Sequence, residues 1–237
     1  MNTEEYRLEY KILSSDVDLA RQLRLSRLFT LLQEAAIAHT EALGFGRDKT
    51  LDRGFLWVVA LQQLKLNRLP EYDEHVILDS VPGQTMHTIY PRYYRLRTAE
   101  GEELMTGASI WTLMDQQSRT MASPEKTGVL IDGMAADWEC FFPKPPKAPA
   151  EGKTEQWTVP FSVTDLNGHM NNARYLDLAV DRMPAALRLR PLRDIQAEYA
   201  AEIRLGESME LRWQSEESCF RLSGTRERRV FRLSFEY

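Results

Sequence analysis

Cysteine is scarce in this sequence: Cys140 and Cys219 are the only two in 237 residues. They lie far apart and form no CxxC pair, which argues against a disulfide framework or a cysteine zinc site. Long apolar runs are missing too. None approaches the ~20 residues that a membrane-spanning helix needs, so no membrane insertion is expected. The opening Met-Asn-Thr-Glu-Glu is acidic with no apolar stretch behind it, so no secretory signal is read there. Positive charge is not in excess: 30 Lys and Arg against 35 Asp and Glu give a net charge of −5. The global basic field that nucleic acid attracts is absent, and no nucleic-acid partner is expected. These absences leave a reduced, cytoplasmic protein. Its 43% hydrophobic and 27% charged residues suit an ordinary globular core.

Proline is concentrated rather than abundant. Four of the 11 prolines fall in Pro143-Lys-Pro-Pro-Lys-Ala-Pro149, which blocks helix and central strand alike. Residues 143–153 therefore read as an extended linker between an N-terminal domain, 1–142, and a C-terminal domain, 154–237. In the first, Leu25, Leu28, Phe29, Leu32, Ala35 and Ala36 recur at helical spacing, predicting a helix over 24–43 that stops at Gly44. Residues 6–13 read as a strand, and segments such as 64–67 and 108–113 alternate with period two. In the second, a strand-like 155–163 and a polar turn lead to a helix over about 172–187. Strands over 195–204, 209–214, 220–225 and 230–237 follow. Even the entry to each helix is echoed, Ser15-Asp16-Val17-Asp18 in one half and Thr164-Asp165-Leu166-Asn167 in the other. The order suggests a duplicated α+β unit, each antiparallel sheet wrapping its own helix.

Chemistry concentrates in Asp165-Leu-Asn167-Gly-His169-Met-Asn171-Asn172. Asp165, Asn167 and His169 alternate, so an extended backbone would present them on one side. Asn171 or Asn172 can cap the helix that follows. Free N–H groups and the dipole at that helix start would favour the negative charge of an acyl-transfer oxyanion. The same residue types also build plain turns and caps. A metal centre is the weaker reading, because one histidine stands here with no second ligand pair spaced to it.

Asp165-x-Asn167-x-His169-x-Asn171-Asn172 before a helix resembles the active-site signature of acyl-ACP thioesterases, which are double-hotdog enzymes. Gly54-Phe-Leu-Trp57, Leu66-Asn-Arg68-Leu-Pro70, and Ser109-Ile-Trp111 with Asp115 and Arg119 beyond it resemble further segments of that family in the same order. The resemblance implies tandem hotdog domains, each an antiparallel sheet wrapped around a long central helix. It also implies hydrolysis of fatty acyl-ACP to free fatty acid and ACP, with no metal and no cofactor.

The family's catalytic glutamate lies in a Glu-Tyr-x-x-Glu segment, here Glu198-Tyr-Ala-Ala-Glu202, so Glu202 is the matching position. Strand alternation alone puts Glu198 and Glu202 on one face and does not separate them. Relatives carry a cysteine after that glutamate and this chain has Ile203, so water rather than a cysteine must attack. Glu202 would act as general base, His169 would assist, Asn167 would hold the water or the carbonyl, and Asp165 would fix the loop. The first hotdog, with Asp16 and Asp18 in the matching loop and Ala20 in place of the histidine, is expected to be catalytically silent. Its share would be an acyl tunnel near Trp57 and the 25–43 helix. Acidic ACP would dock on a basic patch, either Arg182, Arg188, Arg190 and Arg193 or Arg226, Arg228 and Arg229. An acyl-CoA thioesterase of the same fold and a non-catalytic acyl-binding protein are the alternatives. Monomer and homodimer are both workable.

Overall fold

The computed structural model describes residues 5–134 and 136–237. Ten strands form one antiparallel sheet: β1 (Tyr6–Lys11), β2 (Phe55–Leu66), β3 (His75–Pro82), β4 (Ile89–Thr98) and β5 (Glu103–Asp115) come from the N-terminal half. The C-terminal half adds β6 (Lys153–Thr158), β7 (Asp194–Tyr199), β8 (Ser208–Ser215), β9 (Cys219–Thr225) and β10 (Arg229–Glu236). Their spatial order is β1-β3-β4-β5-β2-β7-β10-β9-β8-β6. Read outward from the middle, both halves run in the same order. The seam is the pairing of β2 with β7, from Leu61 opposite Glu198 to Lys65 opposite Asp194.

Helix α1 (Leu25–Ala42) follows the predicted period. It buries Leu25, Leu28, Phe29, Leu32, Ala35, Ala36 and His39 against the sheet, and Gly44 at φ +83° lets the chain leave. The C-terminal counterpart is shorter than expected. It runs as α3 (Arg174–Arg182), and a separate turn α4 (Ala185–Arg188) follows after the short α2 (Pro124–Thr127) of the first half. Pro184 is the cause: it lacks an N–H and pushes Met183 to extended backbone at ψ 138°. Both units are hotdogs in form, a helix laid along the concave face of an antiparallel sheet.

Two strands also end earlier than the alternation predicts. Thr158 closes β6, and Phe161–Val163 is a single 3-10 turn beyond Pro160. After Tyr199 the Ala200 and Ala201 N–H groups both donate to the Val230 carbonyl, at 2.8 and 3.1 Å. That irregularity ends β7, so Glu202 stands in a loop and not on the strand.

The proline-rich segment straps the sheet face turned away from α1. Lys144 N–H donates to Gln63 Oε1 at 2.9 Å, Lys65 sits 4.3 Å from the Phe141 ring centre, and Arg95 lies over Trp138. Among the described residues no helix is long and apolar enough to cross a membrane.

Candidate active site

Asp165 organises the loop before α3. Its Oδ1 accepts the Asn167 N–H at 2.8 Å and the His169 N–H at 3.2 Å, its carbonyl accepts the Gly168 N–H, and its own N–H donates to the His169 carbonyl. The segment is thus a tight turn, with Gly168 at φ +76°, rather than the extended run the alternation suggested. Asn171 closes a turn just ahead of the helix, its Oδ1 accepting the Ala173 N–H at 2.9 Å, while α3, with Ala173 at its N-cap, lacks the side-chain cap expected of one of the two asparagines. The Arg174 N–H donates to the Asn171 carbonyl. These two N–H groups are therefore committed within the chain and do not supply the expected oxyanion donors.

The turn pairs with the loop that follows β7. Met170 N–H donates to the Ile203 carbonyl at 2.9 Å and His169 bridges Arg204. His169 is thereby laid beside Glu202, with Nε2 3.2 Å from Glu202 Oε2, inside ion-pair range but outside hydrogen-bond geometry. The two glutamates have different partners. Glu198 is ion-paired to Arg229 and Arg232, while Glu202 faces His169 and Arg119.

Loss of solvent lowers the His169 pKa below the usual 6.5; Asp165 and Glu207 oppose the shift while Arg204 and Arg119 add to it. The shift favours the neutral imidazole, the form able to take a proton. Tyr175 and Tyr199 wall the site from behind, their rings edge-to-face at 5.6 Å, with Tyr199 Oη donating to the Asn172 carbonyl.

A cavity of about 310 Å³ opens beside this cluster. Leu166 and Asn167 line it from the C-terminal half. Its other walls belong to the first half: Ala36, Ile37 and Thr40 of α1, Phe55 and Trp57 of β2, Tyr90 and Arg92 of β4, and Trp111 of β5. By strand order it extends from β2 across β5 and β4 to Pro82 of β3. Arg92 is a buried polar wall, donating to His39 Nδ1, Ser80 Oγ and Thr40 Oγ1, each at 3.0 Å, and burial brings its pKa down to about 10.

The first half repeats the backbone of the site without its side chains. Asp18 Oδ1 accepts the Ala20 and Gln22 N–H groups, and Leu23 N–H donates to the Pro70 carbonyl. Asp18-Leu-Ala20-Arg-Gln22 thus overlays Asp165-Leu-Asn167-Gly-His169. The equivalence expected from sequence shifts accordingly: Ala20 stands where Asn167 does, Gln22 where His169 does, and Leu69 where Glu202 does. Asp16 plays another part, pairing with Arg27 and accepting Tyr10 Oη.

A model of the acyl-ACP thioesterase N-terminal domain matches residues 3–127, and one of the C-terminal domain matches residues 146–228. The chain belongs to the acyl-ACP thioesterase family. Among its relatives in that family is a chloroplastic acyl-[acyl-carrier-protein] hydrolase of Cuphea viscosissima, 24% identical over 213 residues. The match covers 83% of this chain and 52% of the plant protein, so the chain spans about half the length of the curated relatives it matches. The fold is shared with an acyl-ACP thioesterase of Bacteroides thetaiotaomicron (TM-score 0.81, 20% identity, 100% and 99% of the two chains). It is shared likewise with the 12:0-ACP thioesterase of Umbellularia californica (TM-score 0.82, 19% identity, 100% and 98%).

Three contacts of the site escaped the sequence. Arg119 was visible only as part of the family resemblance, and nothing marked Arg204 or Glu207 as neighbours of His169. Several arginines considered for docking are already engaged: Arg182 with Glu155, Arg226 with Glu207, and Arg229 with Glu198.

Proposed function

We propose that the protein hydrolyses fatty acyl-ACP, releasing a free fatty acid and ACP, in the cytoplasm. The observation that carries this reading is the His169–Glu202 contact at 3.2 Å beside Asn167, on the rim of a largely apolar cavity. The acyl chain lies in the cavity under α1, which puts the thioester carbonyl at Asn167. Glu202, with neutral His169 beside it, takes a proton from water. The water oxygen bonds to the carbonyl carbon, the C–S bond breaks, and the thiolate leaves with a proton returned by the same pair. A positioned base contributes ~10²–10⁴-fold. The Asn167 amide donates to the developing oxyanion, where each well-aimed donor is worth ~10²-fold or more. Asp165 keeps Asn167 and His169 in place. A thioester is an activated acyl donor, so these side chains suffice for the reaction.

The first half, 1–142, is read as acyl-binding and catalytically silent, because its matching turn offers Ala20 and Gln22. The second, 154–237, carries the chemistry. Thiol release from matched acyl-ACP and acyl-CoA panels, with wild type against His169→Ala, tests the reading. Acyl-ACP turnover that collapses in the variant supports reaction and site together. A preference for acyl-CoA removes the carrier and keeps the mechanism. No hydrolysis of either by folded wild type overturns the reading in favour of acyl binding.

A further inference from the structure

The base of the C-terminal half is held by a cation from the other half. Arg119 stands in the loop after β5, and its Nη2 pairs with Glu202 Oε2, the same oxygen that faces His169 Nε2. The loop is built to present it. Asp115 Oδ1 accepts the Gln117 and Ser118 N–H groups at 3.0 and 2.9 Å, and Lys126 Nζ donates to Asp115 Oδ2 at 2.7 Å. The Arg119 N–H donates to the Asp115 carbonyl, and the residue sits at φ +55°, a left-handed backbone that favours glycine. A strained arginine aimed at a carboxylate in an active site is the pattern that function maintains.

We propose that Arg119 is the positioning residue of this site, holding Glu202 against His169 so that the base exists only while the two halves are docked. The inference rests on the hydrolase reading above. Among the described residues Glu202 pairs with Arg119 and His169, and around His169 stand Asp165, Arg204, Arg119 and Glu207. Removing Arg119 leaves the carboxylate without that cation, so it takes a proton at higher pH and is free to turn from His169.

The test compares wild type, Arg119→Met, Arg119→Lys, Glu202→Gln and the Arg119→Met/Glu202→Gln double variant in the full chain. On acyl-ACP, Arg119→Met is expected to lower kcat by roughly 10–100-fold with KM within about threefold, the signature of a loss felt mainly in the transition state. The acid limb of its pH profile moves up, and Arg119→Lys recovers part of the rate. In the Glu202→Gln background, Arg119→Met costs nothing further, because the arginine acts through the glutamate. A raised KM at unchanged kcat, or a full additional loss in the double variant, overturns the proposal. Absence of turnover by wild type would instead sink the hydrolase reading. The His169 ring titration, followed by NMR across the wild type and the Met, Gln and double variants, needs no turnover. Non-additive midpoints uphold the Arg119–Glu202 coupling, and additive ones overturn it.

Discussion

Burial takes water from the His169 ring, and Asp165 on the same turn restores only part of what that costs the protonated form. The pKa is therefore lower in the folded chain than in the unfolded one, where it is near 6.5. Unfolded chains bind the extra proton first. Stability is at its full value above about pH 6.5 and falls as pH drops through the window between 6.5 and the native value. Melting curves from pH 7.5 to 5 should show this decline partly flattened in His169→Gln; identical slopes would refute it. Asp165 lends itself to a second comparison. Asp165→Ala strips the acceptor from two backbone N–H groups and should cost about 1–3 kcal/mol in denaturant unfolding. It should also lower kcat by misplacing His169. Asp165→Asn keeps an Oδ1 acceptor and should retain most of the stability. The Asp165–His169 turn was legible as a polar cluster because its residues lie within a few positions of each other. Arg119 was not, because its partner Glu202 belongs to the other half and only tertiary folding brings them together.

Among elements, α1 was the clearest in advance because its apolar residues repeat over about three turns, and Leu32 in that stripe is fully buried. Leu32→Ala should cost about 2–5 kcal/mol by urea unfolding, and a loss under 1 would mean the stripe does not fill the core. The strands were legible as elements but not at their ends. Period-two patterning says which residues share a face, while the end of β7 is decided by two N–H groups competing for one Val230 carbonyl. Packing density is equally silent in sequence. A methyl group on Gly224 of β9 would run into the Phe231 ring and the Met209 sulfur. Gly224→Ala is expected to destabilise by about 1–3 kcal/mol for that reason, measured in the same way.

Across the whole molecule the two hotdogs share one sheet. The β2–β7 ladder, the Gln63–Asp194 hydrogen bond at 2.7 Å and the Arg119–Glu202 pair all cross the seam. Neither half can lose its sheet edge at that seam without exposing the other's, so calorimetry should give one thermal transition for the chain. Two resolved transitions would mean that the halves fold independently. The duplication itself was legible, because each half repeats the order strand, helix, strands. Which side chains occupy equivalent places was not, since Asp16 and Asp18 look alike until their hydrogen bonds distinguish them.

The Asp18 turn also carries a history. Asp18 still gathers the same two N–H groups, and Arg21 still adopts the left-handed conformation that Gly168 adopts with less strain. The turn keeps its shape in that copy with Ala20 and Gln22 in place of the asparagine and histidine. The simplest ancestry is a single unit that paired with itself and bore two identical reaction centres. Once fused into one gene product, the first copy was released from keeping an asparagine and a histidine but not from closing its turn. Two copies of one design thus diverged in side chains while keeping one backbone turn.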